Sequence, residues 1–198
     1  MKFDFRNPTR ILFGDNQEKE VGKLLQDYGT KRVLLLYGGG SIKRSGLYDI
    51  VVRSLTESQI EFVALGGVRP NPTASFVRET LKLVKEKGID FLLAVGGGSV
   101  IDTAKSIGVG AYYKGDPFDF NLKKAVPEKT MPVGVILTIA SAGSESSNSC
   151  VIQDDEMGIK QGFNSDLIRP VFAIENPKWA LTVPSYQVFA GASDTMMH

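Results

Sequence analysis

The residue types and spacings in this sequence that could do chemistry fall into three clusters of small residues and one carboxylate–imidazole pair. Gly38-Gly39-Gly40-Ser41 and Gly96-Gly97-Gly98-Ser99 repeat one tetrapeptide, each directly after an apolar run. Glycines there let main-chain N–H groups approach phosphate oxygens, and the start of a following helix adds partial positive charge. The second cluster opens a helical stretch that carries Asp102, Thr103 and Lys105 in its first turns. Neither cluster is a full G-x-G-x-x-G, because Lys43 and Ile101 stand where the third glycine would be. Tight strand-to-helix turns without a ligand are therefore the plain alternative. Behind the first cluster come Lys43 and Arg44, where an NAD site often offers a carboxylate to the ribose 2′-hydroxyl. That pattern favours NADP, with NAD the alternative, unless the two bases are simply solvated first-turn residues. The third cluster, Thr138-Ile139-Ala140-Ser141-Ala142-Gly143-Ser144-Glu145, also follows an apolar run. Asp194 and His198 stand four apart, on one face of a helix, and suit Fe(II), Zn(II) or another first-row divalent ion. His198 is the only histidine, so this pair cannot close a metal site by itself.

These groups need a scaffold, and the sequence reads as an α/β, doubly wound, Rossmann-like parallel sheet. Val33 to Tyr37 and Phe91 to Val95 are continuous apolar runs, expected of strands covered on both faces. Helical periodicity fills Leu47 to Ser58, Thr73 to Lys87 and Val100 to about Ala111, with further strands over Glu61 to Leu65, Val133 to Leu137 and Val171 to Ile174. Two short strands, Phe3 to Arg6 and Arg10 to Phe13, suggest an N-terminal β-hairpin around Asn7-Pro8. A second hairpin is expected from Cys150-Val151-Ile152 and Lys160 to Phe163, its turn acids Asp154, Asp155 and Glu156 reading as solvated. Ser185 to His198 reads as a helix without a stop signal. Residues 1–183 thus read as one α/β domain, its glycine turns the nucleotide-binding candidates, and 184–198 as the start of a further helical part that carries the Asp194–His198 pair.

Composition narrows the classes. At 198 residues with 42% hydrophobic and 23% charged, the chain can bury a core. A formal net charge of +1 gives no general pull toward nucleic acid or anionic lipid, and no stretch approaches the length of a membrane span. One cysteine excludes an internal disulfide, and the N-terminus lacks a signal-peptide core, so a cytoplasmic location is expected.

In order along the chain, Gly38 to Ser41, Pro70-Asn71-Pro72-Thr73, the string Gly96 to Lys105, Thr138 to Glu145 and Asp194-x-x-x-His198 resemble the iron-containing, or group III, alcohol dehydrogenases, in particular their NADP-dependent butanol dehydrogenase and aldehyde reductase branch. The resemblance implies a metal-dependent enzyme about twice this length, moving hydride between NADP(H) and a primary alcohol or aldehyde. It places Gly38, Gly39 and Ser41 near the adenosine ribose, and Gly97, Gly98 and Ser99 at the pyrophosphate. Asn71, Asp102, Thr138 and Lys160 would line the cofactor, with Asp102 and Lys160 at its nicotinamide end as the catalytic candidates. Asp194 and His198 would be two of four metal ligands, the rest belonging to a helical domain absent from this chain, which alone should be inactive. Homodimers through the N-terminal strands also follow from the resemblance. A glycerol dehydrogenase-like relative and a non-catalytic nucleotide-binding module are the rival readings.

Overall fold

The computed structural model describes residues 2–4 and 6–197 of the chain. Its centre is a six-stranded, all-parallel sheet in the order β1-β8-β5-β4-β2-β3. The strands are β1 (Arg10–Phe13), β2 (Arg32–Tyr37), β3 (Glu61–Leu65), β4 (Phe91–Gly96), β5 (Val133–Leu137) and β8 (Phe172–Glu175). Side chains alternate across a strand, so β2 sends Leu34 and Leu36 to one face and Val33, Leu35 and Tyr37 to the other. Both faces are covered, and five of its six residues are buried for that reason.

One face packs against α4 (Ala74–Lys87), α5 (Gly98–Gly110) and a hairpin of β6 (Ser149–Asp154) and β7 (Ile159–Asn164). The other packs against α1 (Val21–Asp27) and α3 (Leu47–Glu57), the latter preceded by the single turn α2 (Ser41–Arg44). Thr73 caps α4 by accepting from the Phe76 N–H, and Gly88 ends it in the left-handed region. The last helix, α6 (Ser185–Met197), lies close on the loop after β5. A Cβ on Gly191 would meet the Ala140 carbonyl at 2.8 Å, and the Thr195 hydroxyl donates to the Ser141 carbonyl at 3.0 Å.

Two expectations are corrected. Among the described residues nothing before Arg10 is a strand, and β1 pairs parallel with β8 (Arg10↔Phe172) instead of folding into an N-terminal hairpin. Phe5, inside the expected first strand, lies outside the described residues. What β1 gains instead is a place in the parallel sheet, where the Arg10 N–H donates to the Val171 carbonyl at 3.2 Å and the Gly14 N–H to the Glu175 carbonyl at 3.0 Å. Second, the acids at the β6–β7 turn are not all solvated. Asp154 is only 2% exposed and accepts from Arg78 Nη2 at 2.7 Å and from the N–H groups of Glu156 and Met157, each at 3.0 Å. Arg78 also binds Asp116 at 2.7 Å, so this carboxylate rivets the hairpin to α4.

Candidate functional site

β2 and β4 are neighbours in the sheet, but the chain leaves them toward opposite faces. After β2 it runs through Gly38-Gly39-Gly40 into α2 and α3, whose Leu47, Val51 and Leu55 pack beside Leu35. After β4 it turns at Gly97 into α5, whose Ile101, Ala104 and Ile107 pack beside Leu34 and Leu92. Divergence of adjacent connections opens a crevice beyond the carboxyl ends of the strands, where open α/β sheets take their ligands. The two identical tetrapeptides therefore flank one crevice.

Each turn keeps its backbone reachable. Gly40 has φ +98°, a conformation open to glycine at little cost, and it lets the chain reverse directly into α2. In α5 the Gly97 carbonyl accepts from Val100 at 3.0 Å and Ile101 at 3.2 Å. The helix geometry leaves the N–H groups of Gly98 and Ser99 without an intrahelical acceptor. A Cβ on Gly98 would meet nothing within 4 Å, whereas one on Gly97 would strike Ile139 Cγ2 at 2.3 Å. Gly97 thus lets the loop after β5 come close, and Gly98 leaves the space over the helix start clear.

Beside Ser41, which closes the first glycine turn, lies a cleft of about 490 Å³ whose lining includes Arg44, Thr138, Ile139, Trp179 and Val183. Ser41 and Thr138, both expected at the site, are brought together here. Lys43 is not among the lining residues: its ammonium stands 5.2 Å from the centre of the Tyr37 ring and 5.0 Å from that of Tyr48. Its interaction with Tyr37 raises its pKa above the ordinary lysine value.

Asn71 and Lys160 meet on the opposite, α5 side, where Lys160 Nζ donates to Asn71 Oδ1 at 2.7 Å across 89 positions of sequence. Nearby, Asp102 in the first turns of α5 accepts from the Ser144 hydroxyl at 2.6 Å and from the Val151 N–H at 3.0 Å. Burial raises its carboxyl above the ordinary value, against the opposing pull of Ser144 and Lys105. The 490 Å³ cleft, the start of α5 at Gly98 and the polar Asn71–Lys160 and Asp102–Ser144 contacts thus all follow the carboxyl ends of the central strands or the loops next to them.

On α6, Asp194 accepts a hydrogen bond from the Ser141 hydroxyl, which brings the fourth expected region to the same end of the sheet. His198 lies outside the described residues. No group of three or more His, Cys, Asp or Glu that could hold an ion occurs among the described residues. A first-row ion bound by protein side chains takes about three or four of them, so the described residues do not by themselves make a metal centre. Sequence reasoning did not single out Trp179, named Ser144 only within the third cluster, and read Lys105 only as a first-turn residue closing the Gly96 to Lys105 string. Their contacts span the fold, and no local pattern in the sequence shows them.

This architecture is a Rossmann-like α/β unit whose sheet connections diverge between β2 and β4. Comparison with known proteins agrees: residues 8–177 match the family model described as iron-containing alcohol dehydrogenase. The chain belongs to that family. It is 45% identical over 196 residues to a probable NADH-dependent butanol dehydrogenase of Bacillus subtilis, covering 99% of this chain and 50% of the relative. It is 38% identical over 204 residues to an NADPH-dependent aldehyde reductase of Escherichia coli, again covering 99% of this chain and 50% of the relative. Among solved structures, an NADH-dependent butanol dehydrogenase A from Thermotoga maritima superposes with a TM-score of 0.97 at 40% identity, over 100% of this chain and 50% of that one. The chain therefore spans about half the length of the curated relatives it matches. No described helix is long and apolar enough to cross a membrane.

Proposed function

We propose that this chain is the nicotinamide-nucleotide-binding part of an enzyme that interconverts a primary alcohol and its aldehyde. The observation that carries the reading is the pair of Gly-Gly-Gly-Ser turns on the two strands flanking the crevice, with the space above Gly98 clear. In this reading the N–H groups of Gly98 and Ser99 hold the pyrophosphate, and the cleft beside Ser41, Thr138 and Trp179 takes the adenosine, with Gly38 and Gly39 at its ribose. The nicotinamide end reaches Asp102, Asn71 and Lys160, which orient it by hydrogen bonding. Hydride transfer is the chemistry the nucleotide supplies, and the protein's part is to fix its place and angle.

Both cofactors fit this reading. No carboxylate stands at the tip of β2 to repel a 2′-phosphate, and Arg44 lines the cleft to receive one. Lys43, held over two rings, contributes less than its position in the sequence suggests. Asp194 and His198 are proposed as this chain's share of a divalent site for Fe(II) or Zn(II), completed by ligands from elsewhere. The isolated chain should then bind nucleotide but turn over little or no alcohol. The exposed edge strand β1, with Ile11 and Phe13 at the surface, is a proposed pairing edge for a second copy, and a cytoplasmic location is part of the same proposal.

The single tryptophan, Trp179, lines the cleft and gives a direct test. Titration with NADH or NADPH should quench its emission saturably, with one site per chain. Saturable binding absent for both nucleotides would reject the proposal.

A further inference from the structure

Lys105 lies one turn beyond Asp102 on α5 and is fully buried, with 0% of its surface exposed. An ammonium in that position is costly unless its donors are all used. They are: Nζ lies 3.0 Å from Ser144 Oγ, 3.1 Å from the Ser147 carbonyl, 3.3 Å from Ser147 Oγ and 2.9 Å from the Ser149 carbonyl. Ser144 and Ser147 belong to the segment that joins β5 to β6, and Ser149 is the first residue of β6. Burial lowers the pKa of Lys105, opposed by the nearby charges of Asp102 and Glu145.

The chemistry of the donors orients the next link. An ammonium only donates, so the Ser144 oxygen must accept from Lys105, and its single proton then goes to Asp102 Oδ1 at 2.6 Å. The second carboxylate oxygen takes the Val151 N–H, and the Asp102 carbonyl accepts from Cys150 Sγ at 3.2 Å. Lys105 and Asp102 are thus joined through one hydroxyl whose direction is fixed, and Asp102 keeps part of its surface open. A methionine could fill the Lys105 space, but it could not orient Ser144.

We infer that Lys105 is a positioning residue: through Ser144 it holds the Asp102 carboxyl group in one rotamer, ready to accept a hydrogen bond from the nicotinamide half of the nucleotide. The inference rests on the proposed nucleotide site and adds which residues give that site its preference for the nicotinamide end.

The test compares NADH with ADP-ribose, which has the same adenosine and pyrophosphate but no nicotinamide, on the 198-residue chain by Trp179 quenching and calorimetry. Lys105→Met should weaken NADH about tenfold while ADP-ribose stays within about twofold of wild type. Ser144→Ala keeps the carbonyl contacts of Lys105 and cuts only the bridge, so it should show the same selective loss, somewhat smaller, even where Lys105→Met fails to fold. Equal weakening of both ligands by folded Ser144→Ala, or no change in either, overturns the positioning role and leaves the nucleotide site standing. A wild-type chain that binds neither ligand overturns the site and the inference together.

Discussion

Replacing Asp154 by alanine removes the group that rivets the β6–β7 hairpin to α4. Three hydrogen bonds go with it: one from Arg78, at 2.7 Å and charge-assisted, and two from the turn N–H groups of Glu156 and Met157. Glu156 and Met157 are exposed, so water recovers most of their loss. The Arg78 bond is different, because Asp154 is 2% exposed and Arg78 30%. Arg78 keeps Asp116 as a partner, which places the cost at the lower end for breaking a buried pair, about 3 kcal/mol. For a chain of this size that lowers the melting midpoint by roughly 6–12 °C. Differential scanning calorimetry on wild type, Asp154→Ala and Asp154→Asn measures it, with asparagine intermediate because it keeps an acceptor for the turn but loses the charge. Since the same hairpin carries Lys160 to Asn71, nucleotide affinity should fall with Asp154→Ala as well. A midpoint within about 2 °C of wild type would refute the reasoning.

Acid should act at the same residue. Burial alone would raise the Asp154 carboxyl, but the Met157 N–H and Arg78 outweigh it and hold the group below its ordinary value. The folded value lies below the unfolded one, so this stabilisation is complete above about pH 4 and is lost as pH falls through the folded value. Urea unfolding at a series of pH values should show the gap between wild type and Asp154→Asn closing only below that point. Gly98→Ala and Gly134→Ala should part ways: the first places its methyl in open space and leaves stability intact while weakening NADH at least about tenfold. The second drives a Cβ to 2.2 Å from the Phe172 ring and should cost about 1–3 kcal/mol, seen as a lower urea midpoint. Arg44→Ala should lower the ratio of NADPH to NADH affinity by roughly fivefold, measured by paired titrations.

The central strands were legible because full burial on two faces writes itself as an unbroken apolar run, as in Val33 to Tyr37. Val133 to Leu137 was placed without error for the same reason. Boundaries made of glycine were less legible: α5 begins at Gly98, two residues before its first apolar side chain, since glycine carries no periodic signal. The order of strands in the sheet has no local signature, so the meeting of the two glycine turns at one crevice could be read only from the pairing of β2 with β4. Asp154 illustrates a further limit. An acid in a hairpin turn looks solvated until Arg78, 76 positions away, is found against it. Lys43 and Arg44 are adjacent in the sequence, and only the Tyr37 and Tyr48 rings, which hold Lys43, separate their roles. Asn71 and Lys160 were expected at one site from the family resemblance alone, and the fold joins them directly.

Amide hydrogen exchange with and without saturating NADH tests most directly whether the two glycine turns grip the nucleotide. Residues 38–41 and 97–100 should both slow, while the amides of α4, on the covered face away from the crevice, should not change. Unaltered exchange at both turns, with slowing elsewhere, would contradict the account.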